Sequence, residues 1–514
     1  MPSSEPVHRL SPLDNSFLEI ESESIQANIG GVSVFEGPPP AHKTLLRLVD
    51  AKLDSAPRYR QRVQRMPLGL GMPVWRDDEH FNLGYHVRRT ALPLPGGAAE
   101  LETLVGRVMS QHLDRDKPLW ETWVVEGLEA GRWAIVSKVH HAMVDGVSAY
   151  ELTSALLDVT PKPSTTRRRR AWQPETSGPL GLAAESARGF LAPLDQLEVV
   201  ARKAREAPRE LVLQALLTAR AVLPIGPALT RQRHHLSLNG PIGPHRRWTR
   251  AAVSLADVKQ VRRSLGGTVN DVVLALVTRG MRDLLRARGE VLDERTLRAM
   301  VPVSVRTAVQ RGSLANRVST VFAELPVGMD DPVARFADIR AQMAHVKETH
   351  GAVAGETLVG IAGFGPPVLL ALGARLALRT PQRMINTVAT NIPGPQVPLY
   401  LAGRRLLEAW PYVMLASTVR IATAIFSYDG FVYFGATGDY DSSPDVGVIT
   451  SGITAGMAEL LALSGAAHPA YTWSSSSTTR TASSSAGSSN GSAGSSTSGS
   501  PRSRARSSSP PSGA

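Results

Sequence analysis

The chain has 514 residues, 42% of them hydrophobic, a formal net charge of +12 and no cysteine. That length exceeds what one hydrophobic core organises, so two domains are expected. The missing cysteine excludes a disulfide scaffold, thiolate catalysis, a Cys-ligated metal and an iron–sulfur cluster. The charge is conspicuous in Arg167–Arg170 and in Arg480, Arg502, Arg504 and Arg506. Such clusters suit attraction to an anionic surface such as lipid headgroups; solvated charge on unstructured chain is the plainer alternative. No interleaved basic–aromatic pattern supports specific nucleic-acid binding.

In chain order, the first fifteen residues carry no basic region leading into an apolar run, so no secretory signal is expected. Ile29–Phe35 is strand-like and stops at the GPPP turn. Ala41–Asp54 and Leu101–Gln111 have helical apolar spacing. WAIVSKVHH, after Gly131, has the branched apolar character of a buried strand. It runs into AMVDG, and Val147–Asp158 follows as a helix with Leu152, Leu156 and Leu157 on its buried side.

From Pro161 to Gly178 the sequence cannot build a core and reads as a linker, with helical segments following to Ala221. A second mixed body runs from Ser237 to Ser464. Within it, Val269 opens a strand-to-helix pattern and MVPVSVR is a strand ending at Arg306. Leu358–Leu378 is strongly apolar but broken by two prolines and Arg375, so it suits a buried or membrane-surface helix pair better than a spanning helix. Pro444–Ser464 is the last stretch expected to order. Beyond Trp473, Ser, Thr, Gly, Ala and Pro dominate, which buries too little apolar surface to offset the entropy of ordering.

The chemistry concentrates in KVHHAMVDGVSAYEL, Lys138–Leu152. Adjacent strand residues face opposite sides, so one of His140 and His141 can face a cavity while the other supports the fold. Asp145 lies in a tight return where it could hold a cation or backbone donors, and Gly146 permits a close approach. An unprotonated imidazole can take a proton from an attacking hydroxyl and return it to a leaving group, typically worth about 10²–10⁴-fold. A metal site through HH and Asp145, or a satisfied core histidine, are the competing readings. The second pair, His234–His235, lacks the downstream DG and reads as structural.

HHAMVDG fits the HHxxxDG signature of CoA-dependent acyltransferases, and the chain resembles the bacterial wax ester synthase/diacylglycerol acyltransferase family. The resemblance rests on SPLDNSF (Ser11–Phe17), PVWRDDEHFNLGYHVRR (Pro73–Arg89), PLWE (Pro118–Glu121), LNGPIGPHRRW, GGTVNDVVLA, VPVSVR, NRVST, NTVATNIPGP and SYDGFVYFGATGDYDSSPDV, across residues 9–464. It implies an α/β fold of two chloramphenicol-acetyltransferase-like domains with an interdomain active-site tunnel. The expected division is 1–160 for the N-terminal acyltransferase domain, 161–220 for the linker and helical crossover, 221–468 for the C-terminal domain and 469–514 for a disordered tail.

By resemblance, His141 is the general base, His140 its supporting neighbour, Asp145 the organiser of the loop and Gly146 its turn. Pro118, Leu119 and Trp120 shape the pocket or pack the core. Asn270 and Asp271 match the family's pair in the active-site architecture, where helix capping by Asn270 or scaffolding is favoured over direct chemistry. Arg306 is placed to meet Asp145 across domains. Pro393 and Gly394 read first as turn residues, with a place beside the CoA or acyl channel as the functional alternative.

The implied reaction transfers a long-chain acyl group from acyl-CoA, a co-substrate, to diacylglycerol, the favoured acceptor, with long-chain alcohols as a second one, and with no resident cofactor and no metal. Neither cysteine nor a G-x-S-x-G elbow is present to form an acyl-enzyme, which favours direct transfer. A cytoplasmic protein peripheral to the inner membrane or lipid droplets is expected. The alternatives are a carrier-protein-dependent condensation or acyltransferase enzyme, or a non-catalytic lipid-binding protein.

Overall fold

A computed structural model describes residues 9–66, 72–143, 156–162, 172–174, 236–293, 295–304, 318–350, 385–415 and 418–465. Asp145, Gly146, Arg306, the second histidine pair, the Arg167–Arg170 run, the Leu358–Leu378 segment and the C-terminal tail lie outside these residues.

The chain opens with helix α1 (Pro12–Ile20), for which the SPLD sequence is suited. Ser11 caps it, accepting from the Asp14 amide at 3.1 Å, while Pro12 fills a position whose N–H has no intrahelical partner anyway. Strand β1 (Asn28–Phe35) follows, then α2 (His42–Leu53), the hairpin β2 (Gln61–Gln64) and β3 (Val74–Asp77), the short turn of helix α3 (Leu83–His86) and β4 (Val87–Ala91). Helix α4 (Ala98–Ser110) leads to β5 (Trp120–Glu126) and β6 (Trp133–His140). Only residues 156–162 and 172–174 are described between residue 143 and Leu236. There Asp158 bridges to Tyr400, so the helix expected to reach Asp158 has ended by that residue.

After Leu236 come β7 (Arg246–Ser254), α5 (Leu255–Leu265), α6 (Val269–Ala287), β8 (Leu297–Ser304), β9 (Val318–Leu325) and α7 (Pro332–His350). The strands β10 (Thr387–Ile392), β11 (Tyr400–Leu401), β12 (Arg404–Tyr412), β13 (Ile421–Tyr428) and β14 (Phe431–Asp439) precede the closing helix α8 (Gly447–Leu463). Helix α6 starts at Val269 itself, with helix α5 rather than a strand as the element before it. The Thr268 side chain accepts from the Asp271 amide at 3.3 Å and the Asp271 carboxylate accepts from the Thr268 amide at 2.8 Å. That reciprocal cap starts the helix at Val269 and overrides the β-branched residues that suggested a strand.

Two six-stranded mixed sheets carry the fold, ordered β11-β12-β1-β6-β5-β4 and β7-β14-β13-β10-β8-β9. The first contains β11 and β12, so the second half of the chain lends a hairpin to the first sheet. β12 lies antiparallel to β1, with Gly31 opposite Pro411. A Cβ on Gly31 would stand 2.4 Å from the Trp410 carbonyl oxygen, so glycine permits this approach.

Helix α4 then docks on the edge strand β7 of the second sheet. A Cβ on Gly106 would lie 2.7 Å from the Arg246 carbonyl oxygen, and Ser110 Oγ accepts from the Arg246 amide at 2.8 Å. This covers an edge that would otherwise offer unpaired backbone. Within the second core, α6 and α8 cross through glycines, a Cβ on Gly452 falling 2.7 Å from Gly280 Cα. Among the described residues no helix is long and apolar enough to cross a membrane.

Candidate active site

Strand β6 delivers the histidine pair. It is paired on both sides, with β1 and β5, and ends where the His140 amide donates to the Leu119 carbonyl at 2.9 Å and the His141 amide to the Ala27 carbonyl at 2.7 Å. These bonds hold the end of the strand in register. They also give the PLW sequence its role. Pro118, Leu119 and Trp120 are buried, Trp120 donates from its indole to the Tyr59 carbonyl at 2.8 Å, and the Leu119 carbonyl anchors His140. Core packing is thus what the described contacts of these three residues do.

The two imidazoles part, as expected at the end of a strand. His140 is fully buried, and its Nδ1 accepts from the Ala142 amide at 3.0 Å. His141 opens a short 3-10 turn through Met143 and stacks on Phe17, with ring centroids 3.8 Å apart and an interplanar angle of 18°. His141 keeps some exposure, but its Nδ1 is buried without a hydrogen-bond partner among the described residues. Burial drives its pKa down to about 4; its own backbone carbonyl opposes this and the neighbouring His140 adds to it. The ring is therefore neutral at physiological pH.

Behind His140 lies a set of charges that the motif does not reveal. Glu21, just past α1, places Oε2 3.6 Å from His140 Nε2 and accepts from Arg115 Nη2 at 2.7 Å and Nε at 3.0 Å. Burial alone would raise the Glu21 carboxyl, but His140 and Arg115 outweigh it and hold it at about 2. His112 Nδ1 stands 3.3 Å from the other oxygen. Lys138, fully buried on the same strand face as His140, has no hydrogen-bond partner for Nζ among the described residues. Burial lowers it to about 8, against the pull of Glu121.

Asn270 is not the cap of α6, since Thr268 and Asp271 fill that role. Its Oδ1 instead accepts from Asn391 Nδ2 at 3.0 Å, tying the first turn of α6 to the end of β10. Asp271 is buried and engaged in capping. In the NIPGP turn, the Gly394 amide donates to Ser427 Oγ at 3.1 Å, and a Cβ there would meet the Ser427 carbonyl oxygen at 2.2 Å. Asp145 and Gly146, and Arg306 proposed to face Asp145, lie outside the described residues. Glu21, Phe17, Arg115 and Lys138 were missed as site residues. The sequence hints were SPLDNSF, which placed Phe17 in a familial segment, and the run that Lys138 opens, neither of which showed what these side chains touch.

Two mixed sheets with helices outside, linked by the hairpin that the second half of the chain adds to the first sheet, make a two-domain fold of the chloramphenicol-acetyltransferase-like class. Known folds agree. A trichothecene 15-O-acetyltransferase from Fusarium sporotrichioides superposes with a TM-score of 0.56 at 10% identity, over 88% of this chain and 94% of that one. The first condensation domain of the calcium-dependent antibiotic synthetase gives 0.52 at 15% identity, over 90% and 98%. These show the fold alone.

The sequence narrows the class. The wax ester synthase/diacylglycerol acyltransferase catalytic domain matches residues 10–273, and the C-terminal domain of the same family matches residues 314–461. A probable diacylglycerol O-acyltransferase of Mycobacterium tuberculosis is 36% identical over 463 residues, 89% of this chain and 96% of its own length. A wax ester synthase/diacylglycerol acyltransferase from Marinobacter aquaeolei superposes with a TM-score of 0.63 at 26% identity, over 89% of this chain and all of that one. The chain belongs to the wax ester synthase/diacylglycerol acyltransferase family and is an acyltransferase.

Proposed function

We propose that the protein transfers a long-chain acyl group from acyl-CoA to the free hydroxyl of diacylglycerol, forming triacylglycerol, and to long-chain alcohols, forming wax esters, with His141 as general base. The observation that carries this reading is a desolvated, neutral imidazole at the end of a core strand, in a chain similar along most of its length to a probable diacylglycerol O-acyltransferase.

The acceptor oxygen attacks the thioester carbon as the imidazole takes its proton. The C–S bond then breaks, and the departing thiolate recovers that proton as CoA-SH. An imidazole with so low a pKa is a weak base, so proton removal is tied to the forming C–O bond rather than preceding it. The sealed Nδ1 edge leaves Nε2 for the acceptor. Asp145 and Gly146 shape the loop beyond Met143, as the family resemblance implies. A tunnel between the domains would keep water from the thioester, since hydrolysis competes with transfer.

Both acceptors are apolar bodies carrying one hydroxyl, and both reside in lipid. Peripheral attachment to a membrane or droplet surface follows from that substrate chemistry and is supported by the net charge of +12. Product analysis with labelled long-chain acyl-CoA and diacylglycerol or hexadecanol tests the function. Ester formation is expected, reduced by about 10²-fold or more in His141→Ala. Equal turnover by a folded His141→Ala protein would remove the base from the scheme.

A further inference from the structure

His140 has one ring nitrogen whose state is set by geometry. The Ala142 amide can only donate, and it points at His140 Nδ1 from 3.0 Å. Nδ1 must therefore carry a lone pair, which leaves the proton of a neutral ring on Nε2. A doubly protonated ring would set two N–H groups against each other inside the core. Nε2 in turn faces the Glu21 carboxylate at 3.6 Å, longer than a hydrogen bond but with both side chains almost wholly shielded from solvent.

Glu21 is itself fixed from several directions. Arg115 grips Oε2 through two nitrogens and also donates to the Leu18 carbonyl at 2.8 Å, so the guanidinium clamps the end of α1 as well as the carboxylate. Helix α1 meanwhile supplies Phe17, stacked on His141. One short segment, Phe17 to Glu21, therefore reaches both histidines, one by stacking and the other with a carboxylate oxygen 3.6 Å from its Nε2.

We propose that Glu21 is a positioning residue for the transfer reaction: its carboxylate keeps the proton of His140 on Nε2, so that Nδ1 holds the Ala142 amide and fixes the turn that presents His141. The proposal rests on His141 being the base. Among the described residues, the charged and titratable groups around His140 are the adjacent His141, Glu21 after α1, His112 and Arg115 after α4, Lys138 on β6, and Glu121 on β5 with its partner Arg88 on β4, 3.0 Å away. Glu21 is the member of this set whose carboxylate faces Nε2, at 3.6 Å.

The test is nitrogen-15 NMR of histidine-labelled full-length protein at neutral pH, with the His140 resonances assigned by their loss in His140→Gln. The wild type is expected to show His140 as the neutral Nε2–H form. In Glu21→Gln the amide NH₂ can donate to Nε2, and a population of the Nδ1–H form should appear. In the same variant kcat should fall about 10–100-fold with KM nearly unchanged, because a displaced base loses rate rather than binding. A doubly protonated or Nδ1–H ring in the wild type would overturn the proposal whether or not the protein turns over. So would Glu21→Gln with both tautomer and kcat unaltered. The wild-type spectrum decides even if that variant fails to fold. Because the tautomer is read without turnover, failure of the positioning role and failure of the acyl-transfer reading are distinguishable.

Discussion

His141 and His86 are both held as neutral rings inside the first domain, with pKa values lowered by burial to about 4. For His86, a bond from Nδ1 to the Trp120 carbonyl at 2.8 Å opposes the shift without cancelling it. In the unfolded chain each would titrate near 6.5. Between those values the unfolded chain binds more protons, so this part of the stability is complete above about 6.5 and is lost as pH falls toward 4. Melting temperature should hold from pH 8 to 7 and drop from pH 6 to 4.5. The free-enzyme kcat/KM should keep its neutral-pH level down to about pH 5 in short assays, with its acid limb near 4. A limb at 6.5 would mean that the ring is solvated and that the burial argument is wrong. The histidine pair was legible because the motif is local. Glu21 was not, since nothing in the sequence says that a carboxylate 119 residues upstream faces His140.

Among the elements, α6 shows how an asparagine and an aspartate side by side divide their work. Asp271 closes the cap with Thr268, while Asn270 reaches Asn391 on β10. Helix start and strand end are thereby joined by one amide–amide bond. Replacing Asn270 or Asn391 by Ala should each destabilise by about 1 kcal/mol, and the double variant by less than their sum. Denaturant midpoints of the four proteins measure this, and strict additivity would show that the bond contributes nothing. The helix itself was legible from apolar spacing, as were β1, α2 and β6. The false strand at Val269 arose because β-branched residues fit either structure when buried all round; the reciprocal cap between Thr268 and Asp271, on either side of it, decided it.

At the scale of the molecule the hairpin lent to the first sheet dominates. Strand β12 is the neighbour that pairs with β1 on the side away from β6, and Trp410 and Tyr412 on it are buried in the first core. A fragment ending before Leu236 would leave β1 as a bare hydrophobic edge. It should be recovered as aggregate, and co-expression with the remainder of the chain should return soluble, co-purifying halves. A soluble, monomeric N-terminal fragment with a cooperative melt would contradict this.

The sequence by itself determined the family, the mixed α/β class, three of the described strands, about half of the described helices and the histidine pair, because each depends on residues close together along the chain. Only the tertiary structure decided that β11 and β12 complete the first sheet, that PLW anchors His140 through a backbone carbonyl, and that Glu21, Arg115 and Phe17 converge on the two histidines. Those facts join residues tens to hundreds of positions apart, and such contacts are fixed by how the sheets and helices pack, which no local spacing encodes.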